Sequence, residues 1–301
     1  MNATEPQHTA APDALAALKE RVGRYGIWSI GLRSEEPGRR AEVNESAAEL
    51  EELGFGALWL GSNTSAANAA PLLAATRSVT VATSVQNIWQ HDATASAAAS
   101  AELEKSHPGR FLLGLGVGHA RLVDGYRRPY GALVAYLDAL DAAGLPAERR
   151  VVAALGPRTL KLTAERTAGT IPYLVTPEHT ASAREILGAA PLLAPELKVI
   201  LDADPAAARA LARERLAPYL GLPNYTNNFL RHGFTEDDFT DGGSDRLVDA
   251  VFAWGDDTRL RSRIDAFLEA GADHVALQLI DPSPRDTLPR PAWHHLSTLL
   301  T

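Results

Sequence analysis

The chain has 301 residues, a formal net charge of −8 and no cysteine. Because the chain has no thiols, disulfides are excluded, and so are iron–sulfur clusters and cysteine-based zinc sites. Nucleic-acid binding draws on clustered Lys and Arg, which form no run here, so nucleic acid is not an expected partner. Residues 1–13 lack a signal-peptide core, and no apolar run reaches the roughly 20 residues of a membrane span. We therefore expect a cytoplasmic protein that does not contact membranes.

Short apolar runs alternate with amphipathic segments along the chain. Several runs are apolar at consecutive positions, which is typical of buried parallel strands. The predicted strands are Gly26–Ile30, Ala57–Leu60, Thr80–Val85, Phe111–Leu115, Val151–Leu155, Thr170–Val175, Lys198–Leu201 and His274–Ile280. Helical patterns between them begin with Pro or end at Gly in the expected way. They are Pro37–Leu53, Ala93–Ser106, Pro129–Ala143, Pro157–Ala168, Pro177–Leu187, Pro205–Leu216 and Asp257–Ala270.

This alternation predicts an α/β protein with a (β/α)₈ TIM barrel, in a single domain over residues 1–301 with an N-terminal arm over 1–22. A doubly wound sheet is the alternative, since alternation alone does not show closure. The stretch from Leu216 to Asp256 is too long for one connection. We interpret residues 216–256 as an insertion before the last strand, either a lid or substrate wall or an extra packing helix.

The strongest local pattern runs from Gly109 to His119, where a predicted strand leads into Gly114, Gly116 and Gly118. Glycines allow the backbone to approach a flat ring or a phosphate closely, although they also ease a tight barrel corner. The spacing GxGxG differs from the GxGxxG of dinucleotide-binding folds. His119 is the candidate catalytic residue, because a reference pKa of about 6.5 suits acid–base work. The alternative is that it only positions a cofactor through a hydrogen bond.

Two further strand ends carry signals. In Thr83–Trp89 the residues change from apolar to polar, which suits either a bulge at a ligand site or a plain strand end. In Leu155–Arg158, Gly156 and Pro157 open a helix whose free N–H groups and positive dipole end suit a phosphate. Arg158 would add a charged contact there, or else simply be solvated.

Aromatic residues fall at or just after several strand ends. Trp28, Trp59 and Trp89 are candidates for an apolar substrate wall, with ordinary core packing as the alternative. The nine histidines show no HxH or HExxH spacing, and no metal site is predicted.

The segment Gly109–His119, with Thr83–Trp89 before it and Leu155–Arg158 after it, resembles the bacterial luciferase-like superfamily. Within that superfamily it is most similar to oxidoreductases that use coenzyme F420, a deazaflavin. The resemblance extends from about residue 23 to residue 280. It implies a TIM barrel, a small-molecule substrate and a possible homodimer. It also implies a non-prolyl cis peptide bond at Ser84–Val85, behind the deazaflavin ring.

The resemblance further implies a set of cofactor-binding residues. The ring would lie along the ends of the third and fourth strands, and the phosphate-bearing tail along the ends of the next two. The set is Ser84, Val85, Asn87, Gly116, Val117, Gly118, Leu155, Gly156, Pro157, Arg158, Gly169 and Thr170. The chain departs from the sugar-phosphate and alcohol dehydrogenases of the superfamily at two places. Leu60–Asn63 replaces their Asp-His type pair, and His119 replaces their Glu, which puts sugar or alcohol oxidation in doubt and leaves a reductase open.

The expected function is deazaflavin-dependent hydride transfer to or from a small organic substrate. One alternative is an FMN-dependent monooxygenase that uses O₂. Another, from a different class, is a non-catalytic barrel that binds flavin. The barrel loops that select the substrate carry no chemical signature in the sequence.

Overall fold

The computed structural model describes residues 10–33, 36–121, 123 and 125–300. Within these residues one parallel sheet forms the centre of the molecule. Its strands are β1 (Tyr25–Ser29), β2 (Ala57–Gly61), β3 (Thr80–Ser84), β4 (Gln86–Asn87), β5 (Phe111–Gly116), β6 (Arg150–Val152), β7 (Gly169–Thr170), β8 (Leu192–Leu193), β9 (Glu196–Ile200), β10 (Phe252–Trp254) and β11 (Val275–Leu279).

Apart from β4 and β10, the strands follow one another around the sheet in chain order and lead back to the first. β1, β2, β3, β5, β6, β7 and β8 pair in succession, and β9 pairs with β11, which pairs with β1. β8 and β9 are two parts of one segment, linked by two residues. On one side of this link Glu196 N–H donates to Pro172 O, and on the other Ala276 N–H donates to Pro195 O, each at 2.9 Å. This curled parallel sheet agrees with the predicted TIM barrel.

Helices flank the sheet, and six of them begin at the residue that the sequence predicts. Their ranges are α1 (Pro12–Val22), α2 (Arg40–Glu52), α3 (Ala66–Ala75), α4 (Ala93–Ser106), α5 (Pro129–Ala142), α6 (Pro157–Arg166), α7 (Pro177–Leu187), α8 (Pro205–Leu220), α9 (Pro223–Arg231), α10 (Asp245–Val251), α11 (Asp257–Glu269) and α12 (Arg290–Leu300). Side-chain caps stabilise the N-termini of several helices. The Asp92 carboxylate accepts a hydrogen bond from Ala95 N–H at the start of α4, and the Asp204 carboxylate accepts one from Ala206 N–H at the start of α8. No helix in the described part of the chain is long and apolar enough to span a membrane.

Alternate residues of each strand pack to opposite sides of the sheet. Ile27, Leu58 and Leu60 belong to the cluster shared with the surrounding helices. Trp28 and Trp59 belong to a second cluster, which also contains residues of α1. This period of two is what a barrel strand requires, because one face points to the interior and the other to the helices.

The predicted N-terminal arm, residues 1–22, lies partly outside the described residues. The rest of it forms α1, whose Leu15, Leu18 and Val22 are buried. The carbonyl of Gly23, directly after α1, bonds to the buried ring of His274 just before β11. This part of the arm is therefore packed against the N-terminal end of the sheet.

Residues 216–256 hold more regular structure than the sequence suggests. α8 continues to Leu220, α9 and α10 follow, and β10 pairs with β9 as an additional strand. Residues of α8, α9 and α10 form a cluster with Leu174, Ile200 and Ile280, which lie at the C-terminal ends of barrel segments. The segment thus packs beside the face on which TIM barrels carry their active sites.

Candidate active site

The chain bends sharply where β3 ends. The Ser84–Val85 peptide bond is cis, as the resemblance implies. Val85 N–H donates to Ser62 O at 3.0 Å, and the Ser84 hydroxyl accepts the indole N–H of Trp28 at 2.9 Å. These bonds tie the bend to the ends of β2 and β1. Val85 itself stays partly exposed.

Glycines at the end of β5 make room for this bend. A Cβ atom on Gly116 would lie 2.4 Å from Val85 Cγ2, and one on Gly114 would lie 1.9 Å from Thr83 O. Gly118 has φ +61°, and a Cβ atom there would lie 2.9 Å from Asn87 Nδ2. The predicted ring-binding residues of β3, β4 and β5 therefore come together at one edge of the barrel.

His119 follows these glycines at the same edge. Its ring centroid lies 5.3 Å from that of Tyr225, which α9 supplies. The Nδ1 atom of His119 is buried and has no hydrogen-bond partner among the described residues. Burial lowers the pKa of His119 below its usual value. At neutral pH the ring is therefore neutral, with one nitrogen able to accept a proton or a hydrogen bond.

The start of α6 lies at the end of the neighbouring strand, β6. Gly156 is the N-cap residue and Pro157 the first helical residue, and no described side chain caps the helix. The exposed guanidinium of Arg158 lies 3.7 Å from the ring centroid of Tyr130 in α5. This contact holds Arg158 beside an open helix N-terminus, where an anion is favoured.

A buried histidine supports the same turn. His179 Nε2 lies 3.1 Å from Leu155 O, while its Nδ1 has no hydrogen-bond partner in the described structure. Burial lowers the pKa of His179 to about 4. A neutral ring that donates from Nε2 fits the first contact, so His179 holds the Leu155 carbonyl in place.

Three predicted site residues lie in closed surroundings. Gly169 and Thr170 are buried in β7, and the Thr170 hydroxyl donates to Val152 O at 2.7 Å. Trp59 is fully buried, and its indole N–H donates to His274 Nε2 at 3.0 Å. These groups are engaged in joining strands of the barrel, so none of the three presents a free side chain to the rim.

The other two predicted tryptophans contact predicted ring-binding residues. Trp89 is partly exposed and donates to Val117 O at 2.7 Å. Trp28 lines a cavity of about 40 Å³ that opens beside β1 and β11. Tyr173, Lys198 and Gln278 also line this cavity. Trp28 separates it from the Ser84–Val85 bend, since its indole reaches Ser84.

Lys198, which lines the cavity, belongs to a charged pair that is absent from the sequence-predicted site residues. Lys198 Nζ lies 2.9 Å from both carboxylate oxygens of Glu196, and both residues are almost fully buried. The ammonium group also lies 3.6 Å from the ring centroid of Tyr173. A signal was present, because charges two residues apart in a strand share one face. The predicted strand began at Lys198 and so left Glu196 out.

Comparison with known proteins agrees with this geometry. Residues 24–143 match the luciferase-like monooxygenase family. This part of the chain is similar to that family. It includes the Ser84–Val85 bend, the glycines of β5 and His119, and so confirms the resemblance inferred from the sequence. No curated protein matches the chain.

Solved structures share the fold over most of the chain. An F420-dependent secondary alcohol dehydrogenase in complex with an F420–acetone adduct is 15% identical, with TM-score 0.67 over 87% of this chain and 94% of that one. The coenzyme F420-dependent tetrahydromethanopterin reductase from Methanopyrus kandleri is 14% identical, with TM-score 0.64 over 91% and 97%. The oxygenating constituent of 3,6-diketocamphane monooxygenase from Pseudomonas putida, in complex with FMN, is 14% identical, with TM-score 0.68 over 93% and 96%.

Proposed function

We propose that this protein is a luciferase-like oxidoreductase that binds coenzyme F420 and transfers hydride to or from a small organic substrate. The observation that carries the proposal is the edge formed by the Ser84–Val85 bend and the bare backbone of Gly116. Its position at the C-terminal end of the strands is where TIM barrels place their chemistry.

The residues at this edge fit a flat ring. Val85 and Val117 are partly exposed and apolar, so they offer a surface for the face of an aromatic system. His119 lies next to them, and its Nδ1 has no hydrogen-bond partner within the part of the chain that the structure describes. A deazaflavin would supply the hydride chemistry there, while the protein binds, orients and excludes water.

A phosphate-bearing tail fits the start of α6. The uncapped N-terminus at Gly156 and the nearby guanidinium of Arg158 both favour negative charge. With a net charge of −8, the protein as a whole does not attract an anion. Local groups of this kind therefore have to supply the attraction.

The substrate would lie on the other side of Trp28, in the cavity lined by Tyr173, Lys198 and Gln278. Trp28 contacts both regions, since its ring centroid lies 5.4 Å from that of Tyr173 and its N–H reaches Ser84. This arrangement supports a substrate held against the edge of the cofactor ring. His119, neutral because of burial, would position the reacting groups or accept a proton.

An FMN-dependent monooxygenase is the second candidate function. The family that matches residues 24–143 is described as luciferase-like monooxygenase, and one of the similar structures contains FMN. Both cofactors present a flat tricyclic ring and a phosphate, so the same edge and the same helix N-terminus would serve either.

Titration of the protein with oxidised F420 and with FMN, followed by fluorescence, tests the proposal. We expect saturable binding of F420 that is at least about tenfold tighter than that of FMN, a difference of about 1.4 kcal/mol. Tighter binding of FMN, with O₂ consumed during turnover, would favour the monooxygenase. Binding without turnover of any acceptor in a panel would point to a non-catalytic barrel, and no binding of either cofactor would overturn the proposal.

A further inference from the structure

The interior of the sheet carries a charged pair to which the proposed function assigns no chemical role. Glu196 and Lys198 lie on the same face of β9, and both are at most 2% exposed. Moving two charges out of water costs several kcal/mol per ion, which the attraction within the pair offsets only partly. Apolar residues would fill this position at lower cost, so the pair needs a reason beyond stability.

Lys198 lies in the lining of the cavity and is held by groups from two segments of the chain. Glu196 holds the ammonium from its own strand, and the Tyr173 ring covers it from the segment after β7. Tyr219 of α8 lies farther away, with its ring centroid 5.9 Å from Nζ. Arg215, Asp281 and Arg285 line the same cavity with Lys198. Lys198 is thus the buried cation at the base of a cavity that opens to solvent.

The hydroxyl groups above it are already engaged. Tyr173 donates to Gln278 Oε1 at 3.1 Å, and the Tyr219 hydroxyl lies 3.1 Å from that of Tyr173. Burial raises the pKa of Tyr173 well above its usual value, so Tyr173 is a poor proton source. Burial likewise keeps His119 neutral at neutral pH. Of these groups, the ammonium of Lys198 is the one that carries a transferable proton.

We propose that Lys198 is the proton donor for the reductive reaction, giving its Nζ proton to an acceptor bound in the cavity beside Trp28. The proposal rests on the proposed function. Reduction of a C=O bond or an activated C=C bond adds a hydride to one atom, taken from the reduced cofactor, and a proton to the other. The proton comes from Lys198, which becomes a neutral amine beside the Glu196 carboxylate. Solvent in the cavity then reprotonates it.

The acidity of Lys198 suits this role. Desolvation by burial lowers its pKa to about 8, although Glu196 opposes the shift and Arg285 adds to it. An ordinary lysine, with a pKa of about 10.4, holds its proton too tightly for efficient transfer near neutral pH. The donor form is present below pH 8 and is lost as the pH rises through that value, so reductive turnover falls on the alkaline side.

Lys198→Arg tests the role with the charge retained. Arginine still pairs with Glu196 but does not release a proton in this pH range. We expect kcat to fall about 100-fold at pH 7 and the alkaline decrease near pH 8 to disappear, while F420 affinity remains unchanged. Lys105→Met, which breaks an exposed Lys–Glu pair on α4, is the matched control and keeps wild-type turnover.

Folding is checked with a second variant. Lys198→Met alone leaves a buried carboxylate without its partner, so Lys198→Met combined with Glu196→Gln removes both charges together. This double variant should fold, bind F420 as the wild type does and lose turnover as Lys198→Arg does. If either variant turns over within about fivefold of the wild type with the same pH profile, the proton donor lies elsewhere.

A direct titration gives a readout that does not depend on turnover. The chain has only four lysines, Lys19, Lys105, Lys161 and Lys198, so ¹³C NMR of labelled lysine side chains resolves them. We expect the signal that Lys198→Arg removes to titrate near pH 8, and titration near the ordinary 10.4 would overturn the proposal. Failure of the wild type to bind F420 or to reduce any acceptor overturns the proposed function as well. Wild-type turnover that survives in Lys198→Arg overturns only the role of the lysine.

Discussion

At the scale of single residues, the structure separates groups that hold the fold from groups that are free to act. Thr170 bonds to Val152 of the neighbouring strand β6, and Trp59 bonds to His274 just before β11. His119 keeps Nδ1 without a hydrogen-bond partner in the described structure, and the exposed guanidinium of Arg158 lies over the ring of Tyr130. The free groups lie at the C-terminal ends of their strands, and both were candidates from the sequence.

Arg158→Ala tests the proposed phosphate contact. We expect the dissociation constant of F420 to rise about tenfold at low ionic strength, because a charge-assisted contact is lost. The difference from the wild type should shrink at high salt, since the Debye length falls to about 3 Å at 1 M. Lys161→Ala, a loss of positive charge later in the same helix, is the control. Unchanged affinity of Arg158→Ala at both ionic strengths would show that Arg158 does not contact the cofactor.

His119→Gln tests whether the imidazole transfers a proton or only positions the reacting groups through a hydrogen bond. A glutamine side chain keeps hydrogen bonding but does not ionise near neutral pH. Because burial already keeps His119 neutral, we expect kcat in the reductive direction to stay within about tenfold of the wild type, with the same pH profile. A loss of about 100-fold with an altered profile would instead identify His119 as a general acid or base.

At the scale of elements, the strands and helices that local sequence patterns determine could be predicted from the sequence. Every predicted strand has an observed strand at or near its place, because buried parallel strands read as short apolar runs. β10 was missed because Phe252–Trp254 continues the apolar pattern of α10 directly, without a breaker. The Tyr225 contact with His119 was not predictable, because it depends on how the segment 216–256 folds back over the barrel.

Gly116→Ala tests the fit between β5 and the bend after β3. The added methyl would lie 2.4 Å from Val85 Cγ2, so the bend has to shift. We expect F420 affinity to fall at least about tenfold, since the ring surface moves with it. Gly131→Ala on α5 is the control, because its Cβ atom would meet no other atom within 4 Å. Equal affinities of the two variants would show that the bend does not carry the ring.

At the scale of the whole molecule, closure of the sheet depends on contacts between distant parts of the chain. His274, just before β11, accepts from Trp59 of β2 through Nε2, and its Nδ1 lies 2.9 Å from Gly23 O. The neutral ring satisfies both contacts, with Nδ1 as the donor, whereas a protonated ring loses the bond to Trp59. The pairing could not be predicted from local patterns, because 215 positions separate Trp59 from His274.

This contact predicts a loss of stability in acid. Burial lowers the pKa of His274 to about 4, below the roughly 6.5 of an unfolded chain. As the pH falls from 6.5 to 4, the unfolded state takes up the proton first, and the free energy of unfolding decreases. Urea unfolding of His274→Gln should show a shallower decrease over this range, by up to about 1.4 kcal/mol per pH unit. His295→Gln, at the exposed surface, should match the wild type, and an equal slope for His274→Gln would contradict the account.

The central claim is that a flavin-type ring binds against the bend after β3. A crystal structure of the protein soaked or co-crystallised with oxidised F420 tests this claim most directly. We expect ring density in contact with Val85 and Val117, and phosphate density at the N-terminus of α6 beside Gly156. Ring density elsewhere on the molecule, away from Val85, would contradict this claim, whether or not the phosphate is also remote from α6.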